Sequence, residues 1–240
     1  MAGWFMPEKM PFAPVRLFCF PFAGGGASAY RSWLKEPLFG VVPVQLPGRE
    51  NRMREKPLRS MEDVVTQVTD AVMPWTKQPY AFFGHSLGAR IAFEVARQLR
   101  RRGGLPPVHL FVSGSRSPEI PEPFPLHELN DDDFITALAR YGGTPGSLLE
   151  NRELMKLFLP MLRADFLVDE TYEFKEENPL SIPVTAFYGT DDREANRQEM
   201  QGWQRHTDRE FQMIEVPGGH FFIQQETAFL LGRIRQALGV

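Results

Sequence analysis

Tyr80-Ala81-Phe82-Phe83-Gly84-His85-Ser86-Leu87-Gly88-Ala89-Arg90-Ile91-Ala92-Phe93-Glu94-Val95 is the stretch that decides the fold. Its first four residues form a short apolar run of the kind found in buried parallel strands. From Leu87 onward, Ile91, Val95 and Leu99 recur at helical spacing. Between the two lies G-x-S-x-G, a turn in which glycines relieve steric clashes and hold a serine hydroxyl exposed at the top of a sheet. Alone, the match would arise by accident in on the order of one chain in ten of this length. A strand directly before it and a helix directly after it supply the context the motif needs, so Ser86 is expected to be a nucleophile.

Outward from this turn, similar apolar runs cover residues 15–20, 41–46, 108–112, 184–188 and 211–216. Met61, Val64, Val65, Val68, Ala71, Val72 and Trp75 share one helical face, with Ser60 and Asp63 placed as N-cap and first-turn acid. Arg100, Arg101 and Arg102 close the helix that begins at Leu87, where cations complement the carbonyl end. Phe229, Leu230, Ile234 and Leu238 predict a closing helix. Strands alternating with helices imply an α/β protein with a mostly parallel, doubly wound sheet. The rhythm breaks at Pro118, Pro121, Pro123 and Pro125, which enforce an extended connection. From Leu126 to about Phe174 the pattern is helical only, interrupted across residues 142–146 and expected to kink at Pro160. This reads as a helical lid inserted at about residues 118–180 of a single domain that spans residues 1–240.

Bulk properties exclude several classes. Hydrophobic residues at 42% and charged residues at 24% are ordinary globular proportions, which argues against disorder. A formal charge of −3 provides no overall field to attract nucleic acid. Cys19 is the only cysteine, so an internal disulfide and a thiolate metal cluster are both excluded, and a reducing compartment fits. No run of about 18 apolar residues and no signal-peptide pattern are present, so a cytoplasmic monomer away from membranes is expected.

A serine hydroxyl is a weak nucleophile until a base takes its proton, and the order expected is Ser, then Asp or Glu, then His. His220 lies directly after the last strand pattern, in Pro217-Gly218-Gly219-His220, where glycines let the loop carry the ring back over the sheet edge. It is the expected base. His206, among polar residues, reads as a solvated helix end; His85 belongs to the turn, His109 to a strand and His127 to the lid entrance. Gly189-Thr190-Asp191-Asp192 offers two adjacent carboxylates at the end of the strand at 184–188. Resemblance to other α/β-hydrolases, in which the acid lies three residues after the glycine, favours Asp192, with Asp191 then a turn residue and the alternative.

Two backbone N–H groups should face the developing oxyanion. Leu87 follows the nucleophile and fills the first role; Ala23, in Phe20-Pro21-Phe22-Ala23-Gly24-Gly25-Gly26, is expected to fill the second, with Phe22 next. A phosphate loop at Gly24 to Gly26 is disfavoured, because no Lys-Ser or Lys-Thr pair follows and the dinucleotide fingerprint is missing. Two basic runs, Arg49, Arg52, Arg54 and Lys56, then Arg97 and Arg100 to Arg102, read as solvated faces, with contact to an acidic partner or a phosphate as the alternative. Cys19 and Trp203 read as packing residues.

Several segments go further than the turn motif. Leu17-Phe18-Cys19-Phe20-Pro21-Phe22-Ala23-Gly24-Gly25, Gln45-Leu46-Pro47-Gly48-Arg49-Glu50, Gly84 to Ala89, Leu162-Arg163-Ala164-Asp165 and Pro217-Gly218-Gly219-His220-Phe221 resemble the type II thioesterases, which have the α/β-hydrolase fold. The resemblance runs from about residue 15 to residue 238 and implies editing of polyketide or nonribosomal peptide synthesis. It implies that Ser86, His220 and Asp192 hydrolyse acyl or aminoacyl thioesters from the phosphopantetheine arm of a carrier protein, with no metal and no bound cofactor. A similar enzyme releasing medium-chain fatty acids is the related alternative. A small-molecule carboxylesterase on the same fold and a non-catalytic carrier-binding scaffold are the other readings.

Overall fold

A computed structural model describes residues 3–6, 10–143, 146–149 and 151–240. The chain opens with β1 (Arg16–Phe20) and β2 (Gly40–Pro43), followed by α1 (Met61–Val72), β3 (Tyr80–His85), α2 (Leu87–Arg101) and β4 (Leu110–Ser113). The inserted segment holds α3 (Asp131–Leu138), α4 (Gly146–Leu149) and α5 (Arg152–Glu170). The chain then returns through β5 (Val184–Gly189), α6 (Arg197–Gln201) and β6 (Phe211–Val216), and finishes with α7 (Phe222–Gln225) and α8 (Thr227–Leu238).

Among the described residues, six strands form one sheet in the order β2-β1-β3-β4-β5-β6, and every neighbouring pair is parallel. Side chains alternate across it. Phe18, Phe20, Phe82 and Val112 pack with α1 and α2 on one face, while Leu17, Cys19, Phe83 and Phe111 pack with Trp33 and α8 on the other. A third apolar cluster, including Phe134, Leu138, Leu159, Leu162 and Phe166, belongs to the inserted segment. Parallel pairing puts the carboxyl ends of all strands on one edge, where loops from different strands meet. The register pairs Phe20 with Gly84, His85 with Ser113 and Gly189 with Val216, so residues 21–26, Ser86, residues 190–192 and residues 217–220 all emerge there.

Local chemistry explains most boundaries. Ser60 Oγ accepts the Asp63 N–H at 3.1 Å, which caps α1 as expected. The helical face expected to reach Trp75 tightens into a 3₁₀ turn at Met73–Trp75, because Pro74 has no N–H to continue the α-helical ladder. β2 is shorter than the apolar run 41–46, since Val44 leaves the strand to bridge Phe5 in the antiparallel sense. Pro43 is tolerated because β2 lies at the sheet edge. In the inserted segment, α5 continues through Pro160 as one helix. Of the break expected at 142–146, Gly142 and Gly143 are outside helix, Gly146 starts α4, and Thr144 and Pro145 lie outside the described residues. No helix among the described residues is long and apolar enough to cross a membrane.

Three polar expectations change. Arg49, Arg52 and Arg97 are not on a solvated face: all three are buried and paired, with Asp165, Glu55 and Glu94 respectively. Arg100 and Arg101 bind Glu177, and Arg102 binds Asp70, so the cations at the end of α2 tie that helix to other parts of the chain. His206 is buried rather than solvated; its Nε2 lies 2.8 Å from Glu119 Oε2 and 3.2 Å from Ser117 Oγ. Cys19 and Trp203 are fully buried, and the Trp203 indole N–H donates to Ser115 O at 2.7 Å.

Candidate active site

Ser86 sits between β3 and α2 with φ 54° and ψ −125°, a conformation that L-residues rarely adopt. Two glycines make it possible by close approach. A Cβ on Gly84 would lie 2.1 Å from the Gly88 carbonyl oxygen, and one on Gly88 would lie 2.2 Å from the Phe20 carbonyl oxygen. The second contact also presses the start of α2 against the loop that follows β1. Ser86 N–H donates to Ser113 O at 2.8 Å, fixing the turn from below. Leu87 is the first residue of α2, so its N–H has no intrahelical acceptor and shares the positive end of the helix dipole.

The loops after β5 and β6 bring Asp192 and His220 together. His220 Nδ1 lies 3.0 Å from Asp192 Oδ2 and 3.2 Å from Oδ1, with both residues buried. Asp192 Oδ1 also accepts the N–H groups of Glu194 at 2.8 Å and Ala195 at 3.3 Å, which holds the carboxylate in place. Burial pushes the Asp192 carboxyl upward. The hydrogen bond and charge of His220, helped by the Glu194 N–H and by His85, outweigh that and keep it below the usual carboxylate value. Asp191 is exposed and turned elsewhere: its N–H donates to Gly218 O at 3.0 Å, and its Oδ2 accepts the Thr190 hydroxyl at 3.0 Å. Geometry therefore separates two carboxylates that adjoin in sequence. With Nδ1 engaged by Asp192, the other ring nitrogen of His220 is left for proton exchange. Ser86 and His220 line the same cleft.

His85 lies beneath this pair, its ring centroid 5.1 Å from that of His220. It is fully buried, with Nδ1 2.9 Å from Ser113 Oγ. Burial, reinforced by the nearby His220, pushes its pKa down to about 3 against the opposing pull of Asp192 and the His220 backbone. His109, stacked on Phe111 and bonded to Thr185, is lowered by burial to about 4. In the pH range between these values and the unfolded histidine value of about 6.5, the unfolded chain binds protons that the folded chain refuses. Stability accordingly falls as pH falls, by about 2 kcal/mol per histidine between pH 7 and pH 5. Urea midpoints should shift downward over that range, and His109→Asn should remove about half of the shift. Midpoints that stay flat from pH 7 to pH 5 would contradict this account.

Ala23 and Phe22 also line the cleft. In their loop, the amides of Gly24, Gly25, Ala27 and Ser28 are already committed, to Asp165, Phe22 O, Gln45 and Glu50. Of this loop's residues, Phe22 and Ala23 are the ones that line the cleft, which makes Ala23, with Phe22 before it, the position placed to present an N–H to substrate. Lining groups that sequence reasoning did not single out are Arg90, Arg116 and Tyr141. Arg90 is held by Asp169 at 3.0 Å and Arg116 by Glu122 at 2.7 Å. No local pattern marks them, since each reaches the cleft only through tertiary packing.

A strained serine, a carboxylate-held imidazole and free amides at a helix N-terminus make a set suited to acyl transfer. Residues 15–238 match the model of the thioesterase domain family. The chain belongs to that family. This thioesterase is a serine hydrolase acting on thioesters, built on the α/β-hydrolase fold, and a Ser-His-Asp mechanism is the general property of its relatives. It is 43% identical over 228 residues to the gramicidin S biosynthesis protein GrsT of Aneurinibacillus migulanus, covering 92% of this chain and 88% of that one. It superposes with a TM-score of 0.88 on RedJ, a thioesterase from the prodiginine biosynthetic pathway of Streptomyces coelicolor. That pair is 39% identical and covers 94% and 86% of the two chains. The type II thioesterase YbtT of the yersiniabactin NRPS/PKS pathway is similar too, with a TM-score of 0.87, 34% identity, and 94% and 93% of the two chains covered.

Proposed function

We propose that this thioesterase hydrolyses acyl or aminoacyl thioesters from the phosphopantetheine arm of carrier proteins in polyketide or nonribosomal peptide synthesis, with Ser86, His220 and Asp192 as its triad. The observation that carries the reading is the Asp192–His220 pair, 3.0 Å apart, with His220 lining the cleft that Ser86 also lines. Likeness to YbtT and RedJ supplies the substrate class. His220 takes the Ser86 proton as the hydroxyl oxygen attacks the thioester carbonyl, and the amides of Leu87 and Ala23 hold the oxyanion. Collapse of the tetrahedral intermediate breaks the C–S bond, and His220 returns the proton to the departing thiolate. Water, deprotonated by His220, then hydrolyses the acyl-serine and releases a carboxylic acid. The chemistry calls on no metal or bound cofactor. In this reading the segment at 118–180 covers the cleft, and the protein acts as a cytoplasmic monomer whose macromolecular partner is a carrier, not nucleic acid or membrane.

Free-thiol release from an acyl-phosphopantetheinyl carrier, compared with hydrolysis of a free oxygen ester of the same acyl group, tests the proposal. The carrier thioester should have kcat/KM at least about tenfold higher. A preference for the oxygen ester would instead indicate a small-molecule esterase.

A further inference from the structure

Asp165 lies on α5, in the half that follows Pro160, and is only 3% exposed. Its Oδ1 accepts from Arg49 Nη2 at 2.7 Å, and its Oδ2 accepts both from Arg49 Nη1 at 2.6 Å and from the Gly24 N–H at 2.7 Å. Arg49, 4% exposed, also donates from Nη1 to Gly25 O at 2.9 Å. Gln45 completes the frame: its Nε2 donates to Arg49 O at 2.9 Å, and its Oε1 accepts the Ala27 N–H at 2.5 Å. Backbone groups at Gly24, Gly25 and Ala27 are thus pinned by side chains from two distant parts of the chain. α5 also rests directly on this loop, since a Cβ on Gly24 would lie 2.5 Å from Leu162 Cδ2.

A buried ion pair contributes little net stability over apolar residues of equal volume, so stability alone is a poor account of this one. What it does supply is direction. The two-pronged guanidinium–carboxylate geometry is fixed in the plane, and it ends on the N–H of the residue directly after Ala23. It also neutralises the Asp165 charge, which would otherwise oppose a nearby oxyanion. We propose that Arg49 and Asp165 are positioning residues for the oxyanion hole: they hold residues 23–25 so that the Ala23 N–H points to where the tetrahedral oxygen forms. The inference rests on the assignment of Ala23 as an oxyanion donor. It makes α5 of the inserted segment part of the catalytic frame as well as a cover over the cleft.

The test uses the purified full chain and an S-acyl-N-acetylcysteamine thioester, so that its result does not depend on any carrier being recognised. Removing one partner alone would strand a buried charge and unfold the protein, so the main variant is the double substitution Arg49→Met/Asp165→Leu, which keeps the site filled. It should fold, with kcat reduced about 10- to 100-fold and KM within about threefold of the original. A folded double variant with undiminished kcat, or a loss confined to KM, overturns the proposal. Arg49→Lys is the second variant, retaining charge but not the fork; kcat should drop at least about fivefold at unchanged KM, and undiminished kcat again overturns it. If the unaltered chain cleaves this thioester but none on a carrier, the carrier reading fails while the positioning inference stands or falls on the variants.

Discussion

Asp192→Asn should lower kcat for thioester hydrolysis by about 10³- to 10⁴-fold near neutral pH, while Asp191→Asn leaves it within about threefold. The amide at position 192 can keep accepting the Glu194 N–H, so the loop retains its shape. What it loses is the charge that supports an imidazolium at His220 and the acceptor that keeps the proton on Nδ1. With its amino group turned to Nδ1, the asparagine selects the opposite tautomer, and the nitrogen needed to take the serine proton is already protonated. Asp191 makes no such connection among the described residues, where its exposed carboxylate accepts the Thr190 hydroxyl. Steady-state thiol release with the two variants side by side decides the matter. Comparable losses, or a larger loss at position 191, would remove Asp192 from the acid role.

Those two carboxylates show where sequence reading reaches its limit. The strands were legible because β1 to β5 are short, mostly apolar runs buried along their whole length, with β6 at the sheet edge the partly exposed exception, and parallel connections then bring Ser86, Asp192 and His220 to one edge. Site position thus followed from topology. Resemblance to other α/β-hydrolases favoured Asp192 over Asp191, but the residues themselves left both open, because the direction of each side chain in an irregular turn has no periodicity to read. Charged residues were the other blind spot. Arg49 and His206 have polar neighbours in sequence, and local polarity ordinarily signals solvent, yet each is buried against a carboxylate far along the chain. Asp165 is 116 residues from Arg49, so nothing short of tertiary packing brings them together. The segments containing both were nonetheless among those that resembled the family, which was the available sign that they do more than meet solvent.

Ser86→Gly should abolish hydrolysis, with kcat down by about 10⁴-fold or more, and at the same time make the protein more stable. The activity loss is simple: no hydroxyl remains to attack. The stability gain comes from backbone conformation. At φ 54° and ψ −125° an L-residue places its Cβ in a crowded position that costs about 1–3 kcal/mol. The mirror image of this point, near −54° and +125°, falls in a well-populated extended region, so glycine occupies either without strain. Greater freedom of glycine in the unfolded chain takes back about 0.5–1 kcal/mol, leaving a net gain of about 1 kcal/mol and a rise in Tm of about 2–4 °C for a chain of this size. Ser86→Ala is the informative comparison. It removes the same hydroxyl but keeps the Cβ, so it should lose as much activity without the gain in Tm. A glycine variant that melts no higher than the alanine one would show that the turn holds no releasable strain, and that the exposed hydroxyl is presented at no cost to the fold.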